Sequence, residues 1–141
     1  MTATSGYLLD ANVVSETRKT RPDPGVLAFL TGAESASLFI SVLTLGELRR
    51  GVAAKRRGDP MAADRLGAWV DGLEASFADR IIAIDGGIAR RWGELSAGRS
   101  VPVVDTLIAA TALGHGLTLV TRNTRDVAAT GVGLVDPWQI G

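Results

Sequence analysis

At 141 residues the chain has the length of one domain, read as residues 1 to 141, and its 46% hydrophobic residues are enough for a continuous core. Fifteen basic and fifteen acidic residues cancel, which excludes a global field for nucleic acid, although the basic residues are mostly arginine and cluster at Arg49 and Arg50, at Lys55 to Arg57, at Arg90 and Arg91, and at Arg122 with Arg125. The absence of cysteine excludes disulfides, thiolate zinc sites and cysteine nucleophiles; no apolar run nears the roughly 20 residues of a membrane span. The opening MTATSG lacks the basic start and apolar centre of a secretion signal, so a cytoplasmic location is expected.

The segment 6–9 reads as a short strand, and the stretch YLLDANVVSE, 7–16, ends its apolar run on an acid. Asp10 has two readings: it caps a following helix, or it is a metal ligand or nucleophile at the carboxyl end of a strand, where open α/β sheets bind ligands. A turn-rich connection through RKTRPDPG leads to a helix over about Val26–Thr31 with Pro24 near its start, and SLFIS, 37–41, is a second strand. The spacing of Leu45, Leu48 and Val52 predicts a helix from about Val42 to Ala54. Glu47 lies on the flank of that stripe beside Thr44 and Gly51, whose small side chains leave a groove over its carboxylate.

Gly58-Asp59-Pro60 interrupts the pattern before a helix over about Met61–Phe77. There Leu66, Trp69, Val70, Leu73 and Phe77 recur at helical spacing, which suits either core packing or a homodimer face. RIIAI, 80–84, is a third strand. Asp85 opens a helix to about Ala97, the 98–102 connection follows, and Val103–Leu113 is a helix so apolar on every side that it is expected to be buried. Asp105 near its start gains from the helix dipole, yet a buried carboxylate needs a partner, and a cation is one. TLVT, 118–121, and GLV, 133–135, complete an alternating α/β pattern with a parallel sheet covered on both faces. Asn123 and Asp126 follow the 118–121 strand, as turn and cap residues or as further oxygen donors.

In a parallel sheet these strand ends and helix starts share one edge, so Asp10, Glu47, Asp105 and the Asn123–Asp126 segment can meet there. Oxygen ligands without sulfur suit a hard divalent cation, Mg²⁺ or Mn²⁺, and phosphodiester hydrolysis is its natural chemistry. The single histidine, His115, sits in a Gly-His-Gly helix terminator, which excludes hydrolysis by a histidine pair. No Gly-Lys-Ser/Thr phosphate loop exists, and the Gly114/Gly116 and Gly131/Gly133 pairs lack the third glycine of a dinucleotide fingerprint.

The segments LLDANVVSE, SVLTLGELRRG, VVDTLIAATAL and TRNTRDV, with RPDPGVLAFL and the late DPW, resemble in order and distance the PIN-domain ribonucleases, in particular the toxins of VapBC-type type II toxin–antitoxin pairs. That resemblance implies a three-layer α/β/α fold with a mostly parallel sheet in the order 3-2-1-4-5, a Mg²⁺ or Mn²⁺ site, and endonucleolytic cleavage of RNA. It also implies a VapB-type antitoxin whose C-terminal segment occupies the active-site groove, a homodimer, and contact with DNA only through the antitoxin. Residue by residue, Asp10, Glu47 and Asp105 match the family's three acids. The fourth position falls to Asp126 as the charge with Asn123 as a neutral helper, and Asn12 and Thr121 match polar residues that flank the metal site. Ala11 stands where the family more usually has threonine, which removes a hydroxyl but no ligand. Arg49, Arg50, Arg99 and Arg122 are the candidates for holding the RNA backbone. An inactive PIN module would have lost an acid, and none is missing. A haloacid-dehalogenase phosphatase needs a second aspartate where Asn12 stands and a late lysine, and the chain's lysines are Lys19 and Lys55; a phospho-acceptor receiver domain fails on that lysine too.

Overall fold

Leu8 and Leu9 point to opposite faces of a central strand, as period-two alternation requires, and each seeds one of two cores. The structure is a computed structural model that describes residues 6 to 139; residues 1 to 5, which hold most of the stretch read for a secretion signal, lie outside the described residues. In chain order come β1 (Tyr7–Leu9), α1 (Ala11–Glu16), α2 (Pro24–Gly32), β2 (Leu38–Ser41), α3 (Val42–Arg56), α4 (Pro60–Ser76), β3 (Ile81–Ile82), α5 (Gly86–Ser96), α6 (Val103–His115), β4 (Thr118–Val120), α7 (Thr124–Val127) and β5 (Leu134–Val135). The five strands pair in parallel in the order β3-β2-β1-β4-β5, with Leu8 level with Phe39 on one side and Leu119 on the other. One core gathers Leu9, Val13, Ile40, Leu48, Val70 and Val120; the other gathers Leu8, Ile108, Ala109, Ala112, Leu119 and Val127. No helix among the described residues is long and apolar enough to cross a membrane.

Local chemistry starts and stops the helices where the sequence marks them. Asp23 accepts from the N–H groups of Gly25 (2.9 Å) and Val26 (3.2 Å), so α2 begins at Pro24, two residues ahead of the expected start. Ser41, Asp59 and Asp85 cap α3, α4 and α5 in the same way, each such cap contributing about 1 kcal/mol. Gly116, at φ 64°, ends α6 in the left-handed conformation, and His115 beside it is exposed, as a helix terminator should be.

Two expectations need correction. The 80–84 strand shrinks to Ile81–Ile82 because Arg80 is taken into the turn after α4: its guanidinium donates to the carbonyls of Ser35 (2.7 Å), Leu38 (2.7 Å) and Ser76 (2.8 Å), and it stacks on Phe77. The helix at 103–113 is not buried throughout. Its first turn leaves Val103 56% and Val104 37% exposed, and burial begins at Thr106. Of the apolar stripe on α4, Val70 is fully buried, while Leu66, Trp69, Leu73 and Phe77 pack against the same core and stay partly exposed.

Arg80 therefore ties the end of α4 to the entrance of β2 through charged hydrogen bonds, each of which stabilises by about 1.5 to 3 kcal/mol. Arg80→Met keeps the aliphatic stem and removes the donors. Urea unfolding should show it less stable by about 2 kcal/mol or more, and a loss under 0.5 kcal/mol would mean that water replaces these bonds at no cost.

Candidate functional site

Adjacent parallel strands bring Asp10 and Thr121 side by side, because each follows directly on its strand and Asp10 N–H donates to Val120 O at 3.0 Å. Asp10 is 6% exposed. One of its carboxylate oxygens accepts from Ala11 N–H at 2.8 Å and the other from Thr121 Oγ1 at 2.7 Å. Capping is thus real at this position, and it fixes the carboxylate without using all its lone pairs. The Thr121 hydroxyl also accepts from Asn123 N–H (3.0 Å) and from Asn12 Nδ2 (3.4 Å), while Asn12 Oδ1 accepts from Arg122 N–H (3.4 Å). Asn12, Thr121 and Asn123 therefore form one hydrogen-bonded unit behind Asp10.

The other acids come from helix starts at the same edge. α3 leaves β2 directly, and Thr44, fully buried, donates to Leu9 O at 3.5 Å, which brings the helix carrying Glu47 to the end of β1. Nothing stands within 4 Å of where a side chain on Gly51 would begin, so the space beside Glu47 is open. The Glu47 carboxyl is pushed above its usual range, first by burial, then by the charges of Asp10 and Asp105, with Arg50 opposing. Although Glu47 is an exposed residue overall, its carboxyl is crowded enough by protein to lose part of its hydration. Asp105, half-buried on the first turn of α6, is raised by burial and then by Asp10 and Asp126. Asp10 and Asp105 therefore act on Glu47, and Asp10 and Asp126 act on Asp105, which links the four acids predicted from the sequence through Asp105. Among the described residues, no three of them close into a ready-made ion cage.

The arginines divide. Arg50 lies in the field of Glu47, and Arg122 follows Thr121 at the rim. Arg99 is exposed in the connection between α5 and α6. Arg49 does not belong with them: it turns toward α4 and pairs with Asp71 and Glu74, which hold it charged and occupied. The sequence reading passed over Glu16, a buried acid on α1 paired with Lys19 at 2.8 Å; the i, i+3 acid–base spacing beside a proline-rich turn was its available signal. A cavity of about 810 Å³ at the opposite edge, lined by Tyr7, Phe29, Phe39, His115 and Leu117 among others, contains none of the four acids, so its volume does not mark the chemistry.

The PIN domain family model matches residues 7–131. This chain belongs to the PIN domain family. It is similar to a VapC ribonuclease, Y4jK, of Sinorhizobium fredii, at 33% identity over 94% of this chain and 97% of that one, and to the toxin FitB of Neisseria gonorrhoeae, at 33% identity over 93% and 97%. The solved FitAcB structure from Neisseria gonorrhoeae superposes with a TM-score of 0.84 at 32% identity, covering 94% of this chain and 98% of that one. VapC ribonucleases of the PIN domain family are metal-dependent in general.

The crowding of like charges in this PIN domain sets a pH-dependent cost. Asp105 and Glu47 hold protons more tightly folded than unfolded, so their ionisation opposes folding above their folded-state values, and the cost fades as pH falls toward about 4. In EDTA, Asp105→Asn should match or exceed wild-type stability at pH 7, by at most about 1 kcal/mol because the group is half-exposed and screened. The difference should vanish by about pH 4. A variant clearly less stable than wild type at pH 7 would make the helix-start contribution of Asp105 the larger one.

Proposed function

We propose that this chain is a Mg²⁺- or Mn²⁺-dependent endoribonuclease acting in the cytoplasm as the toxin of a type II toxin–antitoxin pair. The observation that carries this reading is the mutual coupling of Asp10, Glu47 and Asp105 at the carboxyl edge of the sheet, in a chain of the PIN domain family. The donor set is all oxygen, with no cysteine in the chain and its one histidine exposed in a helix terminator, which fits a hard cation. Asp10, Glu47 and Asp105 would hold it, with Asp126 as the fourth charge and Asn123 beside it. Bound there, such a cation supplies charge neutralisation at the scissile phosphate and lowers the pKa of attacking water.

The chain's own residues do the positioning. Thr121 and Asn12 hold the Asp10 carboxylate in one orientation, so that little rearrangement is required when substrate arrives. RNA and the acid edge are both anionic, so the backbone must be held by cations on the rim, with Arg50, Arg99 and Arg122 in that role. The same negative edge suits a basic peptide. A VapB-type antitoxin presenting an arginine or lysine among Asp10, Glu47 and Asp105 would replace the cation's charge and block RNA; DNA would be contacted only through that partner. A homodimer belongs to this reading through family membership alone.

Purified protein should cleave RNA with Mg²⁺ or Mn²⁺ and lose cleavage in EDTA. Asp10→Asn should lower the rate by at least about 100-fold, because the oxygen survives but the charge does not, while circular dichroism stays native. Undiminished cleavage in EDTA would remove the metal mechanism. Co-expression with the adjacent open reading frame should restore growth and yield a co-purifying complex, whereas a protein that neither cleaves RNA nor arrests growth would be a binding module.

A further inference from the structure

Arg122 is exposed, with its guanidinium 4.8 Å from the centre of the Trp138 ring. Trp138 is fixed in turn: its backbone N–H donates to Asp136 Oδ1 at 3.0 Å, and its side chain packs against the core.

Among the described residues Arg122 makes no ion pair, whereas Arg49, Arg56 and Arg80 are all committed to acids. It follows directly on Thr121, whose hydroxyl holds Asp10. A flat guanidinium laid on an indole is a fork with free edges, and a phosphodiester takes such a fork through two parallel hydrogen bonds.

We propose that Arg122 grips one RNA phosphate beside the Asp10 pocket and that Trp138 is a positioning residue that holds its guanidinium in place for that contact. The proposal rests on the ribonuclease reading above. It gives the C-terminal Asp136-Pro137-Trp138 turn a role in substrate holding and not in the chemical step.

The test is steady-state cleavage of a short single-stranded RNA by the full chain with Mn²⁺, across 50 to 300 mM NaCl. Arg122→Ala should raise KM and flatten the log–log salt dependence of kcat/KM by about 0.7, the loss of one phosphate contact on a single strand. Trp138→Leu should raise KM about fivefold and leave kcat within about twofold. Trp138→Leu should add nothing in the Arg122→Ala background. Trp138→Phe, which keeps a ring on the core, should stay near wild type, and Trp138→Leu should resemble Arg122→Ala. Additive effects of Trp138→Leu and Arg122→Ala, an unchanged salt slope in Arg122→Ala, or a fall in kcat at constant KM would overturn the proposal. If the wild type cleaves no RNA the ribonuclease reading fails on its own; anisotropy of the same RNA, fluorescein-labelled, then reads the grip directly, and an Arg122→Ala salt slope equal to that of wild type refutes it.

Discussion

A carboxylate at the end of a central strand sits where water is scarce and backbone donors are few, and the rest of this edge is organised around satisfying Asp10. One oxygen goes to the start of α1 and the other to Thr121 on the neighbouring strand. These bonds turn a mobile side chain into a fixed charge, and every other acid at the edge is then measured against it. Glu47 and Asp105 both bind protons more tightly partly because Asp10 is there. The hydroxyl of Thr121 has no spare capacity: it donates once and accepts from two N–H groups, so Asn12 and Asn123 are locked by the same atom.

Several cations are committed to acids elsewhere on the chain. Arg49 is drawn onto Asp71 and Glu74, Arg56 onto Asp64, and Lys19 onto Glu16. The pairs on α4 are exposed and contribute little stability, but they keep long cationic side chains from collapsing onto the acids. A net-neutral protein thereby gathers Asp10, Glu47 and Asp105 at one edge of its sheet.

Much of this was legible in the sequence because it depends on local rules. Strand ends were marked by Asp10 and Thr121, helix starts by Pro24, the Gly58-Asp59-Pro60 break and Asp85, and the parallel alternation followed from the order of apolar runs. The four acids were selected by their shared place at strand ends and helix starts. Less legible was anything decided by a long side chain choosing between partners. Arg49 and Glu47 lie two residues apart on α3, hence on different faces, and only the packing of α4 shows that Arg49 is spoken for. Arg80 reads as the first residue of a strand until its guanidinium is seen reaching three carbonyls. Val103 and Val104 read as core, since periodicity carries no information on which turns of a helix are covered. Glu16 was hidden by the commonness of helical glutamates.

The bond between Asp10 and Thr121 spans 111 positions of chain, and β1, the first strand made, finds its β4 partner only after α6 has been synthesised. Contacts of such separation form late and carry a large loop-closure cost. During synthesis from the N-terminus, Asp10 and Glu47 emerge early, but their constellation stays incomplete until residue 121 has left the ribosome. Until β4 has been made, β1 lacks its neighbour on that side and Asp10 lacks the Thr121 hydroxyl, so topology alone delays the assembly of the acid edge.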